Sequence, residues 1–121
     1  MRLPWLSVVG ALACFSGREP SGPAGQSCGV PLADDVTGST LLAIVGFAFE
    51  PAELRVAVGQ RITWVNCEEN GAPHTSTASG GEWDSALLQA GDGFTRSFPA
   101  AGTFTYFCEV HPFMTGRVVV E

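Results

Sequence analysis

Cys108, His111 and Met114 stand at intervals of three in the stretch YFCEVHPFMTG (106–116), and His74 stands in NGAPHTST (70–77). The chain holds only two His, at 74 and 111, and Met114 is its one Met beyond Met1. Each of these residues alone has an ordinary role, a buried Cys as a small hydrophobe and a Met as core filler. Gathered into two short segments, they point to chemistry instead. One thiolate, two imidazoles and one thioether form the donor set of a trigonal site with a weak axial sulfur, which suits one copper ion in electron transfer. Zinc favours more thiolates, or a carboxylate where this chain has Met.

Those donors need a frame that brings residues 74 and 108 together across 34 positions. From residue 41 onward, short apolar runs alternate with Gly, Pro and Asn punctuation, the pattern of an all-β sandwich. LLAIVGFAF (41–49) reads as one opening strand. ELRVAV (53–58) alternates, with Leu54, Val56 and Val58 on one face, and RITWVN (61–66) puts Ile62 and Trp64 together. FTRSF (94–98), TFTYF (103–107) and GRVVVE (116–121) continue the pattern, while LLQA (87–90) suggests a short helical turn. Seven to eight strands without a long helix predict two packed sheets. Cys108 then ends a strand, and His111 and Met114 follow in a loop that Pro112 stiffens.

On APHT, AGTFTYFC and CEVHPFM the chain resembles the cupredoxins, small blue-copper proteins of the plastocyanin and azurin kind. The Cys-x2-His-x2-Met spacing is similar to that of amicyanin. The resemblance covers residues 41–121 and implies a Greek-key β-sandwich. It also implies His74, Cys108 and His111 as strong equatorial ligands and Met114 as the axial one. The family often has Asn after its first His ligand and Ser or Thr after its Cys, where this chain has Thr75 and Glu109. A Thr75 hydroxyl donating to the Glu109 carboxylate would tie the two ligand loops with the roles exchanged. The Thr75 N–H is placed to donate to the Cys108 sulfur and tune it. Pro73, Pro112 and Phe113 would surround the His111 edge as an apolar docking patch for a redox donor and acceptor.

At 121 residues the chain makes one domain, and its 45% hydrophobic and 15% charged residues fit a globular body. Twelve acids against six Arg and no Lys give a net charge of −6, which argues against nucleic acid as partner. Arg2 and the apolar run LPWLSVVGALA (3–13) read as an export signal over residues 1–13, too short to span a bilayer. GALAC resembles a bacterial lipobox and makes Cys14 the candidate for lipidation. The expected location is the periplasm or the outer face of the cytoplasmic membrane, with a lipid anchor as the one membrane contact. Residues 14–40 follow as a tether and lead-in, with FSGREPSGPAGQS (15–27) its flexible part.

Cys28 and Cys67 form an even pair in an oxidising compartment and are read as a disulfide. Two free thiols, or Cys67 competing for copper beside His74, are the alternatives. Asp34, Asp35, Glu68, Glu69 and Asp92 read as solvated loop charges, with no carboxylate pair to do catalysis. No further His is left to build a second copper centre of the kind copper oxidases and nitrite reductases need. The reading is therefore a monomeric one-electron carrier and not an enzyme. An extracytoplasmic copper carrier or storage protein is the alternative, and a metal-free structural sandwich a weaker one.

Overall fold

The structure, a computed structural model, describes residues 28–33 and 36–121. The expected export signal, Cys14 and the flexible stretch 15–27 lie outside the described residues, as do Asp34 and Asp35. The described chain forms β1 (Thr40–Val45), β2 (Ala48–Glu50), β3 (Glu53–Val56), β4 (Arg61–Asn66), β5 (Thr77–Ala78), β6 (Gly93–Ser97), β7 (Gly102–Phe107) and β8 (Thr115–Val120). They pack as two four-stranded sheets, ordered β2-β1-β4-β6 and β3-β8-β7-β5. β1 runs parallel to β4 and β3 parallel to β8, and the other neighbours are antiparallel.

The period-two pattern turns Leu42, Ile44, Leu54, Val56, Ile62, Trp64, Val118 and Val120 into one core between the sheets. Burying each such side chain contributes about 1.5–3 kcal/mol. Trp64 is the hub of this core, with the rings of Trp83, Phe94, Phe98 and Tyr106 at 5.5 to 6.4 Å. Tyr106 lies over Gly116 in the β7–β8 register, and a Cβ at Gly116 would run into the tyrosine ring.

Three local expectations are corrected. The run 41–49 is not one strand, because Gly46 (φ 62°) and Phe47 (φ 56°) take left-handed backbone that no strand accommodates, and the chain turns there from β1 into β2. β3 ends at Val56, which leaves Val58 exposed in the following turn instead of on the buried face. Residues 87–90 form no helical turn, since Leu88 pairs with His74 as an isolated antiparallel bridge.

The lead-in before β1 is not simply a tether. β4 is buried on both faces because Val65 and Cys67, with Ala43 of β1, pack outward against Cys28, Val36 and Leu41. A disulfide joins Cys28 to Cys67 across 39 residues, as the even cysteine pair suggested. Closing a loop of that length lowers the unfolded chain's entropy by about 4 kcal/mol in the simple model. The Ala33 N–H donates to the Gly91 carbonyl at 2.9 Å. Gly91 is required there, because its φ is 88° and a Cβ would strike the Pro31 carbonyl. Residues 28–33 are thus a strap laid against the β1–β4 sheet.

This topology gathers the segments that matter at one end. β1 and β4 are parallel neighbours, so the turn after β1 lies beside the loop after β4, where the Cys67 N–H donates to the Ile44 carbonyl at 2.8 Å. That loop crosses to the other sheet, where β5 pairs with Tyr106 and Phe107 of β7. Cys108 follows directly.

Candidate metal centre

Asn66, fully buried at the end of β4, shapes the crossing loop. Its side-chain amide donates to the carbonyls of Ala72 (2.8 Å) and Leu88 (2.9 Å). His74 and Leu88 exchange both backbone hydrogen bonds, at 3.1 and 2.7 Å. The His74 ring is therefore fixed in position, with 0% of the residue exposed. On the other side, the Cys108 N–H donates to the Met114 carbonyl at 3.1 Å and the Met114 N–H to the His111 carbonyl at 2.9 Å. These two bonds close residues 108–114 into a tight loop.

The two loops bring the expected donors together. Cys108 Sγ lies 3.7 Å from His74 Nδ1 and 3.9 Å from His111 Nδ1, and the two Nδ1 atoms are 3.3 Å apart. A point in that plane equidistant from the three atoms lies about 2.1 Å from each, which is close to the bond lengths of imidazole and thiolate to a divalent metal. The donor set thus fits a trigonal first-row metal. Cys108 and Met114 are buried, while His111 is only half-buried. Copper held by this set supplies one-electron cycling between Cu(I) and Cu(II). The residues supply a geometry that both oxidation states accept, since neither loop can rearrange without breaking the bonds described above.

Thr75 works in two directions. Its N–H donates to Cys108 Sγ at 3.3 Å, as the sequence suggested, and so withdraws charge from the thiolate. Its Oγ1 accepts a hydrogen bond from the backbone N–H of Glu109 at 2.9 Å and lies 3.0 Å from Thr77 Oγ1. The expected partner was the Glu109 carboxylate. The tie between the loops exists, but it runs through the Glu109 backbone, and Glu109 itself is exposed.

Glu68 corrects a second expectation. It is not a solvated loop charge but is 2% exposed, with Oε2 3.1 Å from His74 Nε2. The same carboxylate accepts hydrogen bonds from the Gly46 N–H and from the Phe47 N–H, the latter at 3.3 Å. Three donors compensate a buried carboxylate that would otherwise be costly. With Nε2–H donating to Glu68, the lone pair of His74 is left on Nδ1, facing Cys108 and His111. Nothing in CEENGAP distinguishes Glu68 from Glu69, which is exposed. The available signal was weaker: an acid six residues before a ligand histidine, beside a cysteine that is covalently fixed.

Phe47 was missed as well. Its ring stands edge-on to both ligand imidazoles, with centroids 5.0 Å from His111 and 5.5 Å from His74. Phe113 contacts His111 at 6.1 Å and is 72% exposed. Cys67 takes no part in the donor set, because its sulfur is committed to Cys28.

A model of copper binding proteins of the plastocyanin/azurin family matches residues 36–121. Over 121 aligned residues the chain is 34% identical to amicyanin-alpha of Methylorubrum extorquens, covering 96% of this chain and 98% of that protein. It is 35% identical over 94 residues to amicyanin of Paracoccus denitrificans, covering 74% of this chain and 70% of that one. The solved structure of an oxidised amicyanin variant superposes with a TM-score of 0.67 at 31% identity, covering 77% of this chain and 93% of the other. With His74, Cys108 and His111 gathered as donors and Met114 buried in the same loop as the fourth ligand of the family's copper site, the chain belongs to the plastocyanin/azurin family of copper-binding proteins and is a blue-copper electron carrier, not an enzyme.

Proposed function

We propose that the protein works outside the cytoplasm as a monomer and exchanges single electrons with protein partners through the exposed edge of His111. One observation carries this reading: His111 is the ligand that reaches the surface, while His74, Cys108 and Met114 are buried. Pro73 is half-buried, Pro112 and Val110 are exposed, and Phe113 projects furthest. An apolar rim of this kind suits brief docking, because it excludes water without the buried charge that would slow release. Thr75 and Glu109 join the loops behind that rim and hold its shape. Export is supported by the Cys28–Cys67 disulfide, which needs an oxidising compartment to persist. Residues 1–13 serve as the signal, Cys14 is the candidate anchor, and residues 41–121 form the functional domain.

Anaerobic loading with copper followed by a visible spectrum tests the centre. An intense thiolate-to-copper band near roughly 600 nm is expected for a trigonal thiolate site, and Cys108→Ser should abolish it. A colourless product that takes zinc equally well would overturn the assignment. Phe113→Glu tests the docking face: electron exchange with a redox partner slows while the blue band stays as it was. Rapid surrender of Cu(I) to an acceptor protein, with electron exchange unaffected by Phe113→Glu, would favour the copper-delivery alternative.

A further inference from the structure

Phe47 sits where an aromatic residue is conformationally out of place. Its φ of 56° lies in the left-handed region that bulky side chains rarely occupy, and Gly46 before it is left-handed too. Such a residue persists only where its surroundings over-determine it. The Glu68 carboxylate does so here by accepting the N–H groups of both Gly46 and Phe47. The same carboxylate holds His74 Nε2. One buried group therefore sets the orientation of a ligand histidine and the placement of the Phe47 ring.

That ring meets His111 at an interplanar angle of 88° and His74 at 86°, an edge-to-face arrangement with each. Among the described residues no other aromatic side chain touches both imidazoles. The two histidines are held very unequally. His74 is buried, bridged to Leu88 through its backbone and bonded to Glu68 through its ring. His111 is only half-buried, and the aromatic rings beside it apart from His74 are Phe47 and Phe113, of which Phe113 is itself largely in solvent.

We propose that Phe47 is a positioning residue of the copper centre, bracing the less buried His111 ring against the buried His74 ring so that the three-donor plane keeps its shape. This rests on the copper reading above, yet it is separable from it. A surface phenylalanine used only for docking affects partners; a brace affects the isolated protein.

The test uses the copper-loaded full chain without any partner, reading Cu(I) release to a chromophoric chelator together with the visible and EPR spectra. Phe47→Ala should speed release roughly tenfold, as expected for losing an edge-to-face ring contact, and should alter the spectra. Phe47→Gly should do the same while suiting the left-handed backbone, so its folding stability is maintained and the loss cannot be assigned to unfolding. Phe47→Tyr keeps the ring and should stay within about twofold of the parent. Wild-type release and spectra in both Phe47→Ala and Phe47→Gly would overturn the proposal, as would a Phe47→Tyr protein indistinguishable from Phe47→Ala. A parent protein that fails to turn blue would sink the copper reading itself, which these variants do not address.

Discussion

The Glu68 carboxylate meets His74 Nε2 at 3.1 Å, with both residues withdrawn from solvent. A carboxylate on the far nitrogen of a ligand imidazole makes that ring a stronger donor, which favours the higher oxidation state of the metal. Glu68→Gln removes the charge and keeps nearly the same shape, with one acceptor oxygen where the carboxylate offered two. The expected outcome is a Cu(II) affinity lower by about 10-fold or more. Selective loss of that size corresponds to a potential raised by about 59 mV per tenfold. Glu68→Ala should instead destabilise the fold, by about 1–3 kcal/mol for each buried donor left without a partner. Voltammetry and urea melts separate the two variants.

Thr75 and Glu109 give an asymmetric pair of expectations. Because Thr75 Oγ1 accepts the backbone N–H of Glu109, the Glu109 side chain is dispensable to the tie. Thr75→Val should cost about 1 kcal/mol and shift the visible spectrum, whereas Thr75→Ser should preserve both. Glu109→Gln should leave spectrum and urea midpoint unchanged. Equal perturbation by Thr75→Val and Glu109→Gln would show that the carboxylate takes part after all.

The ligands were legible because His and Met are scarce in this chain and fall at two loop positions. The strands were legible wherever one face is buried, as in Leu54 and Val56. What escaped was fixed by tertiary contact and not by local pattern. Phe47 continues an apolar run and reads as strand, and its left-handed turn depends on a carboxylate 21 positions away. Glu68 reads as a loop charge until the histidine and two amides that surround it are known. β5 has two residues, too few to leave a periodic trace. The strap at 28–33 is rich in turn formers, and only its cysteine announced that it would be pinned down.

Met114 should tune the centre more than hold it. A thioether in the axial position binds weakly, so Met114→Gln is expected to retain copper and to lower the potential, because an oxygen donor stabilises Cu(II). Its buried position makes packing the competing role. Met114→Leu keeps the volume without the donor, and a raised potential with unchanged stability would confirm the tuning role. Loss of copper from both variants would refute it.

The disulfide should matter to stability far more than to colour. Replacing Cys28 and Cys67 together with Ser removes about 4 kcal/mol of unfolded-state restraint and uncovers the outward cluster of Ala43 and Val65. A marked drop in the urea midpoint is expected, with the blue spectrum retained, because neither cysteine belongs to the donor plane. Bleaching of the band in the folded double variant would show that the strap reaches the copper through Glu68.

The staple at Cys67 also decides which pole of the molecule the strap at 28–33 is pinned to. Cys67 directly follows β4, at the end of the sandwich where the histidine loop begins, so residue 28 joins the body beside the copper rather than at the opposite pole. Residue 28 therefore shares a hemisphere with any partner that approaches His111.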